Sequence, residues 1–109
     1  MTKDTRAEFV EQFLKDHCLS VMNSKGADYS RGELDVNSNF KRVASALDLD
    51  PLTVAYIYMA KHFDSISSYV KTRKISSGEP IEGRLGDLIN YALILASLIE
   101  ESKPEVIYK

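Results

Sequence analysis

The chain is poor in the residues that most often announce chemistry. It has one cysteine and two histidines, and no apolar run near the roughly 20 residues that a membrane span requires. The lone Cys18 excludes an internal disulfide and fits a reducing compartment. His17 and His62 are too far apart, and too short of partners, to announce a zinc site. A Cys–His nucleophile pair has as little support, since Cys18 falls among core-filling positions. The opening residues, MTKDTRAEFVEQF, place charges where a signal peptide needs its apolar segment, so the sequence predicts a cytoplasmic protein. A net charge of −2 gives no bulk attraction to nucleic acid or to an anionic membrane. β-like alternation, internal repeats and low-complexity tracts are also missing.

What is there is 109 residues, 44% hydrophobic and 28% charged, the size and composition of one globular domain. A chain this short buries only ~65% of its unfolded surface, so self-association is a natural way to add burial. Apolar positions at 3–4 spacing predict four helices, over residues 5–23, 38–47, 51–73 and 82–102, with a long polar loop at 24–36. Thr5 to Glu8 reads as a capping box, and Asp50-Pro51 as an N-cap followed by proline in the first helical position. Phe40, Val43, Ala44 and Leu47 form the expected buried face of the second helix. Ala55, Tyr58, Met59, His62, Phe63, Ile66, Tyr69 and Val70 form that of the third. The fold class is therefore an all-α, four-helix bundle-like domain. From Leu88 to Ile99 the last helix has almost no wet face, which predicts a homo-oligomer assembled through it.

Three groups of residues are candidates for a site. The stretch KGADYSRGELDVNSN supplies Lys25, Asp28, Tyr29 and Asn39: cation for a phosphate, ring for a base, and glycines that let the backbone approach. Its plain alternative is a surface loop with Tyr29 docked on the bundle. Lys61 and Asp64 share a face of the third helix and form either a ligand contact or a surface ion pair. On the last helix, Asp87, Asn90 and Tyr91 lie at i, i+3 and i+4, with Arg84 one turn before. Asp87 there either faces a cleft or neutralises Arg84. Carboxylates converging from several helices, Asp87 with Asp64, could hold Mg²⁺.

Taken together, Lys25-Gly26-Ala27-Asp28-Tyr29, Asn39-Phe40, Lys61-His62 before Asp64-Ser65, Glu79-Pro80-Ile81-Glu82-Gly83-Arg84, and Asp87 before Asn90-Tyr91 form a pattern. It resembles small helical phage and prophage proteins related to the nucleotide modification associated domain family, over residues 8–101. That resemblance implies a role in nucleotide metabolism or modification inside an infected bacterial host. A more distant likeness is to the MazG-type all-α nucleotide pyrophosphatases. These assemble as dimers or higher and bind Mg²⁺ through ExxE and ExxD pairs. Glu8 and Glu11 have the first spacing, and LGDLINYALIL is similar to the helix with the second aspartate. Arg84 stands where the second pair needs an acid, which counts against hydrolysis more than against binding.

The sequence reading is thus a cytoplasmic helical protein that binds or sequesters a nucleotide or nucleotide-like small molecule. Lys25, Lys61 and Arg84 would meet phosphates, Tyr29 or Tyr91 would stack, and Asn90 would fix orientation. Two rivals stand beside it. One is a Mg²⁺-dependent pyrophosphohydrolase using Asp87 with Asp64 or Asp28. The other is an interaction module that inhibits a host defence or replication protein.

Overall fold

The computed structural model describes residues 1–23, 35–75 and 78–102, and among these every regular element is helical. Helix α1 spans Lys3–Phe13 and runs on into a π-helical segment, Leu14–Leu19, before the chain is helical again over 20–23. Its capping box sits one turn earlier than the sequence predicts. Thr2, not Thr5, is the N-cap, and the two threonines bond reciprocally, at 3.2 Å for Thr5 N–H on Thr2 Oγ1 and 2.8 Å for Thr2 N–H on Thr5 Oγ1. In the π-segment the Ser20 N–H reaches back to the Lys15 carbonyl, the wider turn that defines this geometry.

Helix α2 spans Ser38–Leu47 and ends where Asp48 turns left-handed, at φ 55°. The expected Asp50-Pro51 start opens α3, Pro51–Thr72, with the Asp50 carboxylate accepting from the Leu52 N–H at 2.8 Å. Helix α4 spans Ile81–Ser102 and packs along α3, which makes the largest set of contacts in the chain. Helix α2 lies against α3, and the π-segment lies against α4.

The apolar core is small: Phe40 and Ala44 of α2, Val54 and Ala55 of α3, and Leu98 of α4, flanked by Val43, Leu52, Tyr91, Ile94 and Leu95. Two expectations about buried faces fail here. Leu47 is exposed, and so are Tyr58 (37%), Phe63 and Val70, which the helical spacing of α3 placed inside. The apolar stripe of α3 is wider than the other described residues cover. Helix α4 shows the same excess, with Leu93 and Ile99 exposed and only Gly86, Asn90 and Leu98 buried. No residue of α1 is buried. Among the described residues, no helix is long and apolar enough to cross a membrane.

Candidate functional site

Polar residues gather on α4 where it faces the π-segment on one side and α3 on the other. Gly86 makes the close approach possible: a Cβ there would lie 2.4 Å from the His17 carbonyl oxygen. One turn further along α4, the Asn90 side-chain amide donates to the Cys18 carbonyl at 3.0 Å. So the polar residue in the middle of an apolar helix clamps the first helical arm in place by its backbone. Its other polar atom, Oδ1, is buried and, among the described residues, has no hydrogen-bond partner. Cys18 is itself buried, and its thiol lies 3.9 Å from the Gly86 carbonyl. Burial, with the nearby Asp87 carboxylate second, pushes that thiol above its ordinary pKa, so it is a neutral packing group and not a nucleophile.

On the α3 side of α4, His62 stacks on the Tyr91 ring, with centroids 5.3 Å apart and planes 26° from parallel. Its Nδ1 lies 3.8 Å from Asp87 Oδ2, an ion-pair distance when the imidazole is protonated and too long for a hydrogen bond. Tyr91 also meets Phe40 and Tyr58 edge-on, so the stack is continuous with the core. Arg84 pairs at 3.2 Å with Glu79, which lies just before α4. The sequence alternative of an Asp87–Arg84 pair is thus replaced by two separate contacts, Arg84 with Glu79 and Asp87 beside His62.

Of the residues the sequence singles out, the structure brings Arg84, Asp87, Asn90 and Tyr91 to one helix segment. Asn39, in the first turn of α2, is half-buried, and its Oδ1 is likewise buried without a hydrogen-bond partner among the described residues. Lys25, Asp28 and Tyr29 lie outside the described residues. Lys61 and Asp64 are exposed. At about 100° per residue, Asp64 sits about 200° around α3 from His62, so it turns away from Asp87. The Asp64–Asp87 magnesium pair is therefore not assembled within one chain. Among the described residues no three His, Cys, Asp or Glu side chains converge as a metal-ligand set. His62 is the participant that sequence reading passed over. It was legible as an inward position on α3, but nothing local says that Asp87 would stand opposite it.

A shallow cleft at the far end of the helix pair, lined by Lys41, Asp50, Leu52, Leu98 and Glu101, does not coincide with this cluster. No family model, no curated protein and no solved structure matches the chain.

Proposed function

We propose that the chain is a binding protein for a nucleotide or nucleotide-like ligand, taken at the cluster of His62, Arg84, Asp87 and Tyr91. One observation supports this above the others. Three ionisable side chains of α3 and α4 are largely withdrawn from water, with side-chain exposures of 12% (His62), 13% (Arg84) and 20% (Asp87), and the first of them stacks on Tyr91. Among the described residues, the buried apolar core amounts to Cys18, Phe40, Ala44, Val54, Ala55 and Leu98. Withdrawing charge from water costs several kcal/mol per ion, roughly, and a core this small has little to set against it. Such groups concentrate where chemistry or recognition needs them.

The chemistry of the set suits a nucleotide. A guanidinium offers forked donors to phosphate oxygens. Glu79 is 60% exposed, so a phosphate can replace it at Arg84 while the glutamate turns into water. Asp87 accepts from a hydroxyl or a ring N–H, and the Tyr91–His62 stack offers an aromatic edge. In the phage setting that the motif pattern resembles, such a protein sequesters or hands on nucleotides during infection.

The test is calorimetric titration of nucleoside mono-, di- and triphosphates, with and without Mg²⁺. At least one nucleotide should bind saturably, and Arg84→Ala should weaken it ten-fold or more, the value of a lost charged contact of about 1.4–3 kcal/mol. Release of phosphate or pyrophosphate in the Mg²⁺ arm would assign the enzyme reading instead. Silence across the panel at millimolar ligand, or binding by Arg84→Ala equal to that of the natural chain, would overturn the proposal.

A further inference from the structure

We propose that a second copy of this chain packs face to face on the α3/α4 pair, with α3 antiparallel to the partner's α3 and α4 antiparallel to the partner's α4. Among the described residues, each helix leaves one apolar stripe open. On α4, Gly86, Asn90, Ser97 and Glu101 touch the π-segment or Asn37 at the start of α2. At about 100° per residue these four form one stripe, and Asp87 and Tyr91, which meet His62, form the next. Beyond them lie Leu85, Ile89, Ala92, Ala96 and Ile99, of which the last three are exposed. On α3, Tyr58 and His62 face inward to Phe40 and Tyr91. The open stripe there is Tyr56, Ala60, Phe63, Ser67 and Val70, and Tyr56, Phe63 and Val70 are 59%, 58% and 66% exposed.

Both stripes are spaced four, three, four, three, the repeat of a helix seam that another helix fills. Around each helix the order is the same: the α2 side, then the neighbouring helix, then the open stripe. The two stripes therefore lie together, on the side of the pair away from α2. Two helices of 22 residues offer a face of ~33 by ~20 Å, on the order of the ~800 Å² per partner that a stable interface uses.

What selects a second copy is that the face is complementary to itself. On α3 large residues alternate with small ones. Antiparallel pairing centred between Ala60 and Phe63 sets Ala60 against the partner's Phe63 and Ser67 against the partner's Tyr56. On α4 the matching centre, between Ile89 and Ala92, sets Ile89 against the partner's Ala92 and Leu85 against the partner's Ala96. These two centres are already level within one chain, because His62 stacks on Tyr91. One two-fold axis serves both helices. An unrelated protein would not match this alternation of large and small residues.

The experiment is light scattering on the full chain at micromolar concentration, with two variants. The natural chain should give twice its 12.3 kDa. Phe63→Glu should halve that mass and leave the helical circular dichroism unchanged, since Phe63 packs on water within one chain. Ala60→Cys lies within a turn of its own copy across the axis and should be linked into a dimer by a short bifunctional maleimide, while Ser45→Cys on the exposed side of α2 should not. Cys18, at 1% exposed, leaves the background clear. A monomeric natural chain, a Phe63→Glu variant that stays dimeric, or an Ala60→Cys dimer that the maleimide does not link would each overturn the proposal.

Discussion

At one end of the α3/α4 pair, Phe40 and Ala44 of α2 sink between Val54, Ala55 and Leu98. At the other end the π-segment crosses α4, and the contacts there are polar and close: Gly86 under the His17 carbonyl, Asn90 on the Cys18 carbonyl, His62 between Asp87 and Tyr91. The first end is held by burial, which depends on volume and tolerates exchange of one apolar residue for another. The second is held by backbone approach and directed hydrogen bonds, which depend on shape. The candidate site is at the second end, where a ligand can exploit groups that are already positioned.

Substitutions should separate the two ends by mechanism as well as size. Phe40 is 3% exposed and touches both Tyr58 and Tyr91. Phe40→Ala should cost about 3–5 kcal/mol through lost burial and the cavity left behind. Phe40→Leu should recover most of that. Urea unfolding followed by circular dichroism measures both, and equal losses for the two variants would show that the apolar end is also governed by shape.

The polar end can be probed with two glycines of the same helix. A Cβ at Gly83 meets nothing within 4 Å, whereas one at Gly86 meets the His17 backbone at 2.4 Å. Gly83→Ala should therefore stabilise by about 0.5–1 kcal/mol through helix propensity. Gly86→Ala gains the same propensity but should lose about 1–3 kcal/mol overall, because backbone must move. Opposite signs three residues apart are the expected result. Two stabilising changes would mean that the first helical arm is free to yield at the crossing.

Asn90 sharpens the same contrast. Asn90→Leu keeps roughly the volume but leaves the Cys18 carbonyl without its donor, at a cost of about 1–3 kcal/mol. At an apolar position of the Phe40 end, a change to leucine removes no hydrogen bond. Thermal melts beside hydrogen exchange of the π-segment would test this. A neutral Asn90→Leu would mean that the carbonyl is satisfied some other way.

The contrast between the ends is also the contrast between what was readable in the sequence and what was not. Helix positions follow from local spacing, and Asp50-Pro51 marks the α3 start correctly because an N-cap is a contact between residues two apart. The capping box at α1 was placed one turn late, since Thr2 and Thr5 satisfy the helix start as well as a Ser/Thr–Glu pair does. Periodicity says which face of α3 is apolar, but not whether anything covers it, so Phe63 and Val70 were read as buried. The polar end was only half legible. Asp87, Asn90 and Tyr91 could be placed on neighbouring faces of one helix, but the Asn90 partner is 72 residues away and is a backbone carbonyl. The π-turn that presents it has no sequence signature. His62 opposite Asp87 is likewise a consequence of how α3 and α4 slide against each other.

The smallest effect expected lies at the apolar end, where Lys41 of α2 bonds to both Asp35 and Glu101 and so ties the start of that helix to the end of α4. The Lys41 ammonium, and after it the Asn37 N–H, hold the Asp35 carboxyl below its ordinary value of about 3.8. The carboxylate is the form that the folded state favours. Its contribution is therefore present above pH 3.8 and is lost as the pH falls through the lower folded value. Asp35 is 38% exposed at its side chain, so water screens the pair and the contribution should be only a few tenths of a kcal/mol, roughly. Asp35→Asn removes the charge while its side-chain oxygen still accepts from the Asn37 N–H, a bond of 2.9 Å in the natural chain. Melting the two chains side by side from pH 6 to pH 2.5 should show a small deficit for Asp35→Asn that stays constant down to about pH 4 and closes below it. A deficit that persists at the acid end would assign the effect to the hydrogen bond rather than to the charge. A deficit above 1 kcal/mol or so would show that this corner of the apolar end, too, is held by directed contacts.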